Sequence, residues 1–416
     1  MSSRAFWVLE LRKMLLLGGG LAVGQIARVL AAMVNVVMMG WVGVQALAAG
    51  ALINSVVLLL FLTCSGVLQG MAPMIGSGIG AAKHDFVTAV IRQGVLVAIL
   101  LSLASALLLA MTPTVLAFIG QDPTIVAQAR RYAWALIPGI FPSLWLMCVR
   151  YFLAAVEEVR WLNIIMILGV AAGGYGNYLL IDGKHGLPAL GLVGIGLSAS
   201  TVNWLMMFST FTALLLSPRL RRYSGFGLPW PVNKQILSVM WRIGAPIGVV
   251  LFVETALFAG AHTMMGYVSV AALAGHAIVV QLFYLVLMVP VGLSQAATAR
   301  VAHAVGRGRK REAIAASVTS IVIIVAFVIT VGIAMFSYAD DIVRFALSLQ
   351  GKQGVDVIAQ AVAFTKIASL TQALSGIVVV IAGVMRGYRD TAFAMVYVVV
   401  GYWLIGLGSA AALAFG

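Results

Sequence analysis

Charge is what this sequence most lacks. Only 9% of its 416 residues are Asp, Glu, Lys or Arg, against about 25% in a soluble globular domain. So few charges cannot cover a water-facing surface, which excludes a soluble fold. Acids are the scarcer sign, 12 against 26 Lys and Arg. Cysteine is nearly absent. Cys64 and Cys148 both sit in apolar runs, which argues against a disulfide framework and a thiolate metal site. Also missing are a P-loop, a glycine pattern opening a strand–helix nucleotide site, and zinc-ligand spacing. The expectation is a protein that is no enzyme and carries no cofactor.

What is present is apolar. Hydrophobic residues make up 62% of the chain, and the mean hydropathy is +1.09. A helix needs roughly 20 apolar residues to cross about 30 Å of hydrocarbon. No Asp, Glu, Lys or Arg occurs between Arg28 and Lys83, Lys184 and Arg219, Glu254 and Arg300, or Glu312 and Asp340. The first and third of these runs exceed one span, and each holds a Gly-rich break, Gly40-Trp-Val-Gly43 and Gly266-Tyr-Val. Eleven spans are expected, near 15–38, 46–76, 88–112, 126–150, 161–181, 187–215, 237–264, 270–299, 314–337, 356–384 and 392–415. Lipid leaves no partner for open backbone groups, so the spans are helices and the fold class is an all-α polytopic membrane protein. A cleavable signal is not expected, because Gly18 to Gly40 is too long for its apolar core.

The basic excess is unevenly spread. With a cytoplasmic N-terminus, the inside segments hold Arg4, Arg12, Lys83, Arg150, Arg160, Arg219, Arg221, Arg222, Arg300, Arg307 and Arg386, among others. The outside segments hold only Arg130, Arg131, Lys184, Arg344 and Lys352. That is the positive-inside pattern. The net charge of +14 is therefore topological, and nucleic acid is not an expected partner.

The chain repeats itself. Gly40-WVGVQALAA matches Gly266-YVSVAALAG at an offset of 226 residues, which also carries Gly66 onto Gly292, Gln69 onto Gln295 and Gly80 onto Gly306. Basic turns follow both copies, GAAKHD at 80–85 and GRGRKRE at 306–312. Ala154-Ala155-Val156 resembles Ala382-Gly383-Val384 at a slightly larger offset. The first copy holds six spans, an even number, so both copies share one orientation, a parallel repeat that is an architecture of secondary transporters. The expected division is an N-terminal lobe 1–216, a basic Pro- and Gly-rich cytoplasmic linker 217–235, and a C-terminal lobe 236–416.

Glu254 is the leading candidate for chemistry. By these spans it alone among the acids lies well inside a helix, about 5 Å from the midplane at ~1.5 Å per residue. An ionisable group at that depth costs several kcal/mol and suggests a function, here the binding and release of a proton or a sodium ion. Arg28 holds the same repeat position in the first half and is a candidate ion-pair partner. Pro246, two turns before Glu254, is a candidate kink. Asn35 and Asn177 could line a polar pocket or simply bond a neighbouring helix. Weaker candidates are Gln281, Gln295, Thr371, Gln372, Ser375, His262, His276 and Lys366.

Several stretches carry a family resemblance: LAAGALINS with SGVLQGMAPMIGSGIGA, NYLLIDGKHGLPALGLVGIGLSAS, RIGAPIGVVLFVETALF, VPVGLSQAATARVAHAVGRG, GVMRGYRDT and YWLIGLG. In this order they resemble the multidrug and toxin extrusion (MATE) family over nearly the whole chain. The resemblance implies two six-helix lobes and export of small cationic or amphipathic compounds by antiport with protons or sodium. It also implies a bacterial inner-membrane location, and a monomer is expected. A lipid-linked precursor flippase of the same superfamily is the alternative, as is a non-transporting membrane sensor. A cationic central cavity would favour the flippase, and the scarcity of intramembrane Arg and Lys argues against it. By position Glu254 matches the family's coupling glutamate, and Asn177 matches the Asn of its fifth-helix NY motif. The chain also departs from the family. Asn35 replaces its first-helix acid, Gly20 stands where many members have proline, and Ser375 and Thr371 replace a tenth-helix acid and tyrosine. The chain stops at what resembles the eleventh family helix, so the second lobe is expected to lack its last helix, with an open reading frame continuing past Gly416 as one explanation.

Overall fold

A computed structural model describes residues 3–218, 220, 223, 226, 231–268, 270–348 and 355–401. Arg219, Arg221, Arg222, Lys352, the segment 402–416 and the side chain of His262 lie outside the described residues. Among those described there is no strand. The helices are α1 (Ser3–Val42), α2 (Val44–Gln69), α3 (Met71–Gly80), α4 (His84–Phe118), α5 (Pro123–Leu136), α6 (Ile140–Ala155), α7 (Arg160–Asp182), α8 (Leu192–Leu216), α9 (Lys234–Val268), α10 (Val270–Gly306), α11 (Lys310–Ser337), α12 (Ala339–Ser348), α13 (Val355–Gly387) and α14 (Ala392–Val399). Among the described residues ten stretches of helix are long and apolar enough to cross a membrane.

The breaks follow from the sequence. Gly43, with φ +138°, separates α1 from α2 in a backbone region closed to most side chains. The expected span 46–76 is α2 and α3 in series, divided at Gly70. The expected span 126–150 is α5 and α6, divided by a 3-10 turn that holds Pro138. The span expected at 392–415 is described only from α14 to residue 401. No element was expected at 339–348. Helix α12 lies there, with Asp340 and Arg344 exposed and Val343 buried. Its charges make so short a helix read as a loop.

Equivalent turns close the repeat. Ala82 and Gly308 both adopt positive φ, +56° and +70°, at the offset of 226. In each turn the next N–H reaches back five residues, Lys83 to the Gly78 carbonyl and Arg309 to that of Ala304, as in a Schellman cap. The turns after α6 and α13 match likewise, with φ +60° at Glu157 and +66° at Arg389. Their offset is 232, so Ala154–Val156 corresponds to Arg386–Tyr388. That corrects the pairing with Ala382–Val384, because the turn rather than the apolar residues fixes the register.

The chain forms two compact units, one of Met1–Gln25 with Val249–Gly416, the other of Ile26–Gly248. Both boundaries fall inside the first helix of a repeat, α1 and α9. The chain-order division at 217–235 is thus a different one from the division by packing. In the 26–248 unit, Met38, Met39, Ile53, Tyr132, Ile181 and Ile195 form part of a buried core. In the other, α13 packs most extensively on α10 and then α11. Lipid tails are as apolar as leucine, so helices here associate through close contact and hydrogen bonds. Ser294 and Thr298 of α10 supply such bonds, donating to the carbonyls of Val379 (2.7 Å) and Gly383 (2.8 Å) on α13.

Candidate functional site

Glu254 lies three residues from the middle of α9. It is partly buried, and one turn on Phe258 packs against Tyr284 (5.1 Å between ring centroids) and Phe283 (5.7 Å) of α10. The charge of Glu254 acts on Tyr284, and that of Arg386, from the end of α13, acts on Glu254. The Arg386 Nη2 donates to Ser294 Oγ at 2.5 Å. Sequence reasoning placed Arg386 on a cytoplasmic turn and did not single out Tyr284. The structure puts both within electrostatic reach of Glu254, all in one unit. Pro246 sits inside α9 between Gly244 and Gly248, close to the point where the helix passes from one unit to the other. Arg28 and Glu254 belong to different units.

Asn35 and Asn177 do come together. The Asn177 Nδ2 donates to Asn35 Oδ1 at 2.8 Å, across α7 and α1. Asn177 is 1% exposed, and its own Oδ1 has no hydrogen-bond partner in the protein. Nearby on α2, Asn54 accepts from Tyr132 Oη (3.0 Å) and donates to Met39 Sδ (3.7 Å). The group is polar, uncharged and able to hold a donor.

A second group in the same unit is cationic. The Arg28 guanidinium lies 5.2 Å above the Phe61 ring of α2. One turn on, the Ser65 carbonyl accepts from Tyr151 Oη at 2.9 Å. Arg150 is 2% exposed and sits 3.9 Å from Met166 Sδ, and it feels the like charge of Arg28. This corrects one expectation. Arg150 lies in a candidate span and not on a turn, because α6 runs on to Ala155.

Other candidates are dispersed. On α13, Thr371 is exposed and donates to the Ala368 carbonyl (3.1 Å), Ser375 is partly buried, and Gln372 is buried with neither amide atom bonded. Gln281 is exposed, Gln295 is buried, His276 stands edge-on to Phe364 and Lys366 lies 5.8 Å above Phe336. No three His, Cys, Asp or Glu gather among the described residues. Glu10 is a second acid within a helix, near the start of α1. It is 5% exposed in α1 and accepts from Arg300 of α10, from Nε at 3.0 Å and also from Nη2. Helix α1 starts earlier than expected, which brings Glu10 inside it.

The MatE family model matches residues 21–179 and 246–411, most of the chain. The chain belongs to the MatE family. The expected membership is thus met, and this MatE chain is a multi-pass membrane protein. It is 32% identical over 411 residues to a probable multidrug resistance protein NorM of Synechococcus sp., covering 98% of this chain and 88% of that one. The same figures hold for a NorM so described from Mesorhizobium japonicum. Among solved structures it matches the eukaryotic MATE transporter AtDTX14 with a TM-score of 0.86 at 20% identity, over 99% of this chain and 90% of that one. It matches a mutant of the Vibrio cholerae MATE transporter VcmN with a TM-score of 0.88 at 13% identity, over 97% and 89%. At these identities the likeness is one of fold.

Proposed function

We propose that this MatE chain is a secondary active transporter. It exports small cationic or amphipathic compounds across the bacterial inner membrane in exchange for an inward-moving ion, with Glu254 as the coupling group and its N-terminus in the cytoplasm. The observation that carries the reading is Glu254 itself, an acid in the middle of α9 beside Tyr284 and within reach of Arg386. An ionisable group at that depth is a functional position by default. Sodium prefers several oxygen ligands, and the family's second acid is Ser375 here. Protons are therefore the assigned ion. The Asn35–Asn177 pair holds no titratable group, so coupling rests on the unit that contains Glu254. The family match and the relatives named as multidrug resistance proteins support export as the direction.

The test is rhodamine 123 efflux from proteoliposomes under separately imposed gradients. A proton gradient alone is expected to drive efflux. Efflux driven by sodium without a pH difference would contradict the proton assignment.

A further inference from the structure

Arg130 and Arg131 stand side by side on α5, at a depth where positive charge is out of place. The stretch 132–149 that follows them holds no charged residue. It is about 27 Å long at ~1.5 Å per residue, close to the ~30 Å of a hydrocarbon core. The two arginines therefore mark its outer boundary, the orientation being that of the transport reading, on the side that Lys and Arg avoid. One turn on, Trp134 is exposed, as aromatics at a membrane interface are.

The other outer cations described are matched by acids. Lys184 lies 3.7 Å from Asp182, and Arg344 lies 2.6 Å from Asp340. Among the described residues no hydrogen bond or ion pair holds Arg130 or Arg131. Asp122, two turns back, is occupied in capping α5 through Thr124.

Both arginines line cavities. One of about 420 Å³ is walled by Gln121, Arg130 and Arg131. Another of about 480 Å³ is walled by Gln45, Gln128 and Arg131, so Arg131 is common to the two. Val126 in the first and Ala46 and Leu192 in the second belong to the buried core of the unit, and close packing fixes those walls. Among the described residues no acid lines either cavity. Planar guanidinium forks match phosphate oxygens, and amide groups add neutral donors. Phe118 and Ile119, both exposed, lie in the chain between Ala117 and Gln121 of the smaller cavity. They place apolar surface beside a polar, cationic hollow.

We infer that these adjoining cavities bind a phosphate ester, with Arg130 and Arg131 on the phosphate and the glutamines on neighbouring oxygens. The phosphate has two sources, the headgroup of an anionic phospholipid in the outer leaflet or a dissolved ester. Phe118 and Ile119 favour the lipid, whose acyl chains they would meet. Neither Glu254 nor the Asn35–Asn177 pair shares these groups.

The experiment titrates the purified full chain in neutral detergent, by thermophoresis, with three probes. These are dioctanoyl phosphatidylglycerol, glycerol 3-phosphate, and dioctanoylglycerol, which lacks the phosphate. Saturable binding of the phospholipid is expected, weakened about tenfold in Arg130→Gln/Arg131→Gln, the worth of a charged hydrogen bond. Both arginines are exposed, so the double variant should keep its Tm. Lys184→Gln removes an outer charge that lines neither cavity and should bind as the wild type does. Much weaker binding of glycerol 3-phosphate assigns the site to lipid, and equally tight binding assigns it to a dissolved ester. No saturable binding of either phosphate ester would overturn the site, as would dioctanoylglycerol binding as tightly as the phospholipid, or an equal loss in Lys184→Gln. Thermophoresis reads binding and not transport, so failure of the transport reading would leave this result standing.

Discussion

Gly66 meets Gly248 with no room between them: a β-carbon on Gly66 would stand 2.8 Å from the Gly248 Cα. In the other unit a β-carbon on Gly292 would stand 2.7 Å from the Ala22 Cα. The offset of 226 carries Gly66 onto Gly292 and Ala22 onto Gly248, so each unit builds the same crossing from exchanged copies. One turn further, Gly70 lies against Gly244, and Gly18 against Ala296. Small residues at such crossings let backbones approach, the main source of helix association in lipid.

Larger side chains should therefore fail at both crossings. Gly66→Leu and Gly292→Leu each strike backbone, which cannot swing aside, and overpacking costs about 1–3 kcal/mol or more. Thermal unfolding of the purified chain is expected to show a lowered Tm for both. Gly40→Ala, at a site with nothing within 4 Å, should be close to neutral.

Glu10 and Arg300 clamp the start of α1 to the end of α10 through two hydrogen bonds. Side-chain exposures of 7% for Glu10 and 14% for Arg300 make this a largely buried pair. Glu10→Gln removes the carboxylate bonded to Arg300, and breaking a buried pair costs up to about 3–5 kcal/mol. Glu10→Gln with Arg300→Met removes both charges and should unfold at a higher temperature than Glu10→Gln alone. The reverse order would show that the pair is not a clamp.

Much of this was legible in the sequence, and the limits have physical causes. Apolar runs announce helices because lipid permits little else, and Gly43 marks a break because few residues adopt its φ. Asn35 and Asn177 were both singled out, but pairing them needs the distance between α1 and α7, which no spacing encodes. Arg150 was misplaced because hydropathy ends a span at the first charge, while the hydrogen-bonded helix runs on to Ala155. Glu10 was missed for the same reason at the start of α1. Tyr284 carries no signal of its own, since an aromatic in an apolar run reads as packing.

Asp122 gives a pH-dependent contact outside the spans. Its carboxylate accepts from Thr124 Oγ1 (2.5 Å) and Thr124 N (2.7 Å), capping α5. These bonds hold the carboxyl below its ordinary value, the side-chain bond most strongly. A lowered folded pKa means the cap is fully present above about pH 4, and it is lost as pH falls through the lower folded value. Asp122→Asn caps comparably without titrating. Hydrogen exchange in the first turn of α5 should accelerate on acidification in the wild type relative to Asp122→Asn. Parallel profiles would contradict the cap.

The amide pair offers a separate check on where coupling lies. Asn35→Ala removes the acceptor for Asn177 and is expected to lower dye efflux modestly while leaving its dependence on the proton gradient intact. Efflux that continues but no longer follows the gradient would place coupling in the 26–248 unit instead.

The most direct measurement is proton-driven rhodamine 123 efflux by Glu254→Gln beside the wild type, in matched proteoliposomes. Glutamine keeps the shape and hydrogen bonding of the acid but cannot exchange a proton. Gradient-driven efflux is expected in the wild type and its loss in Glu254→Gln, with the variant still monodisperse and of unchanged Tm. Equal gradient-driven efflux from both proteins would contradict it and make Glu254 a structural residue.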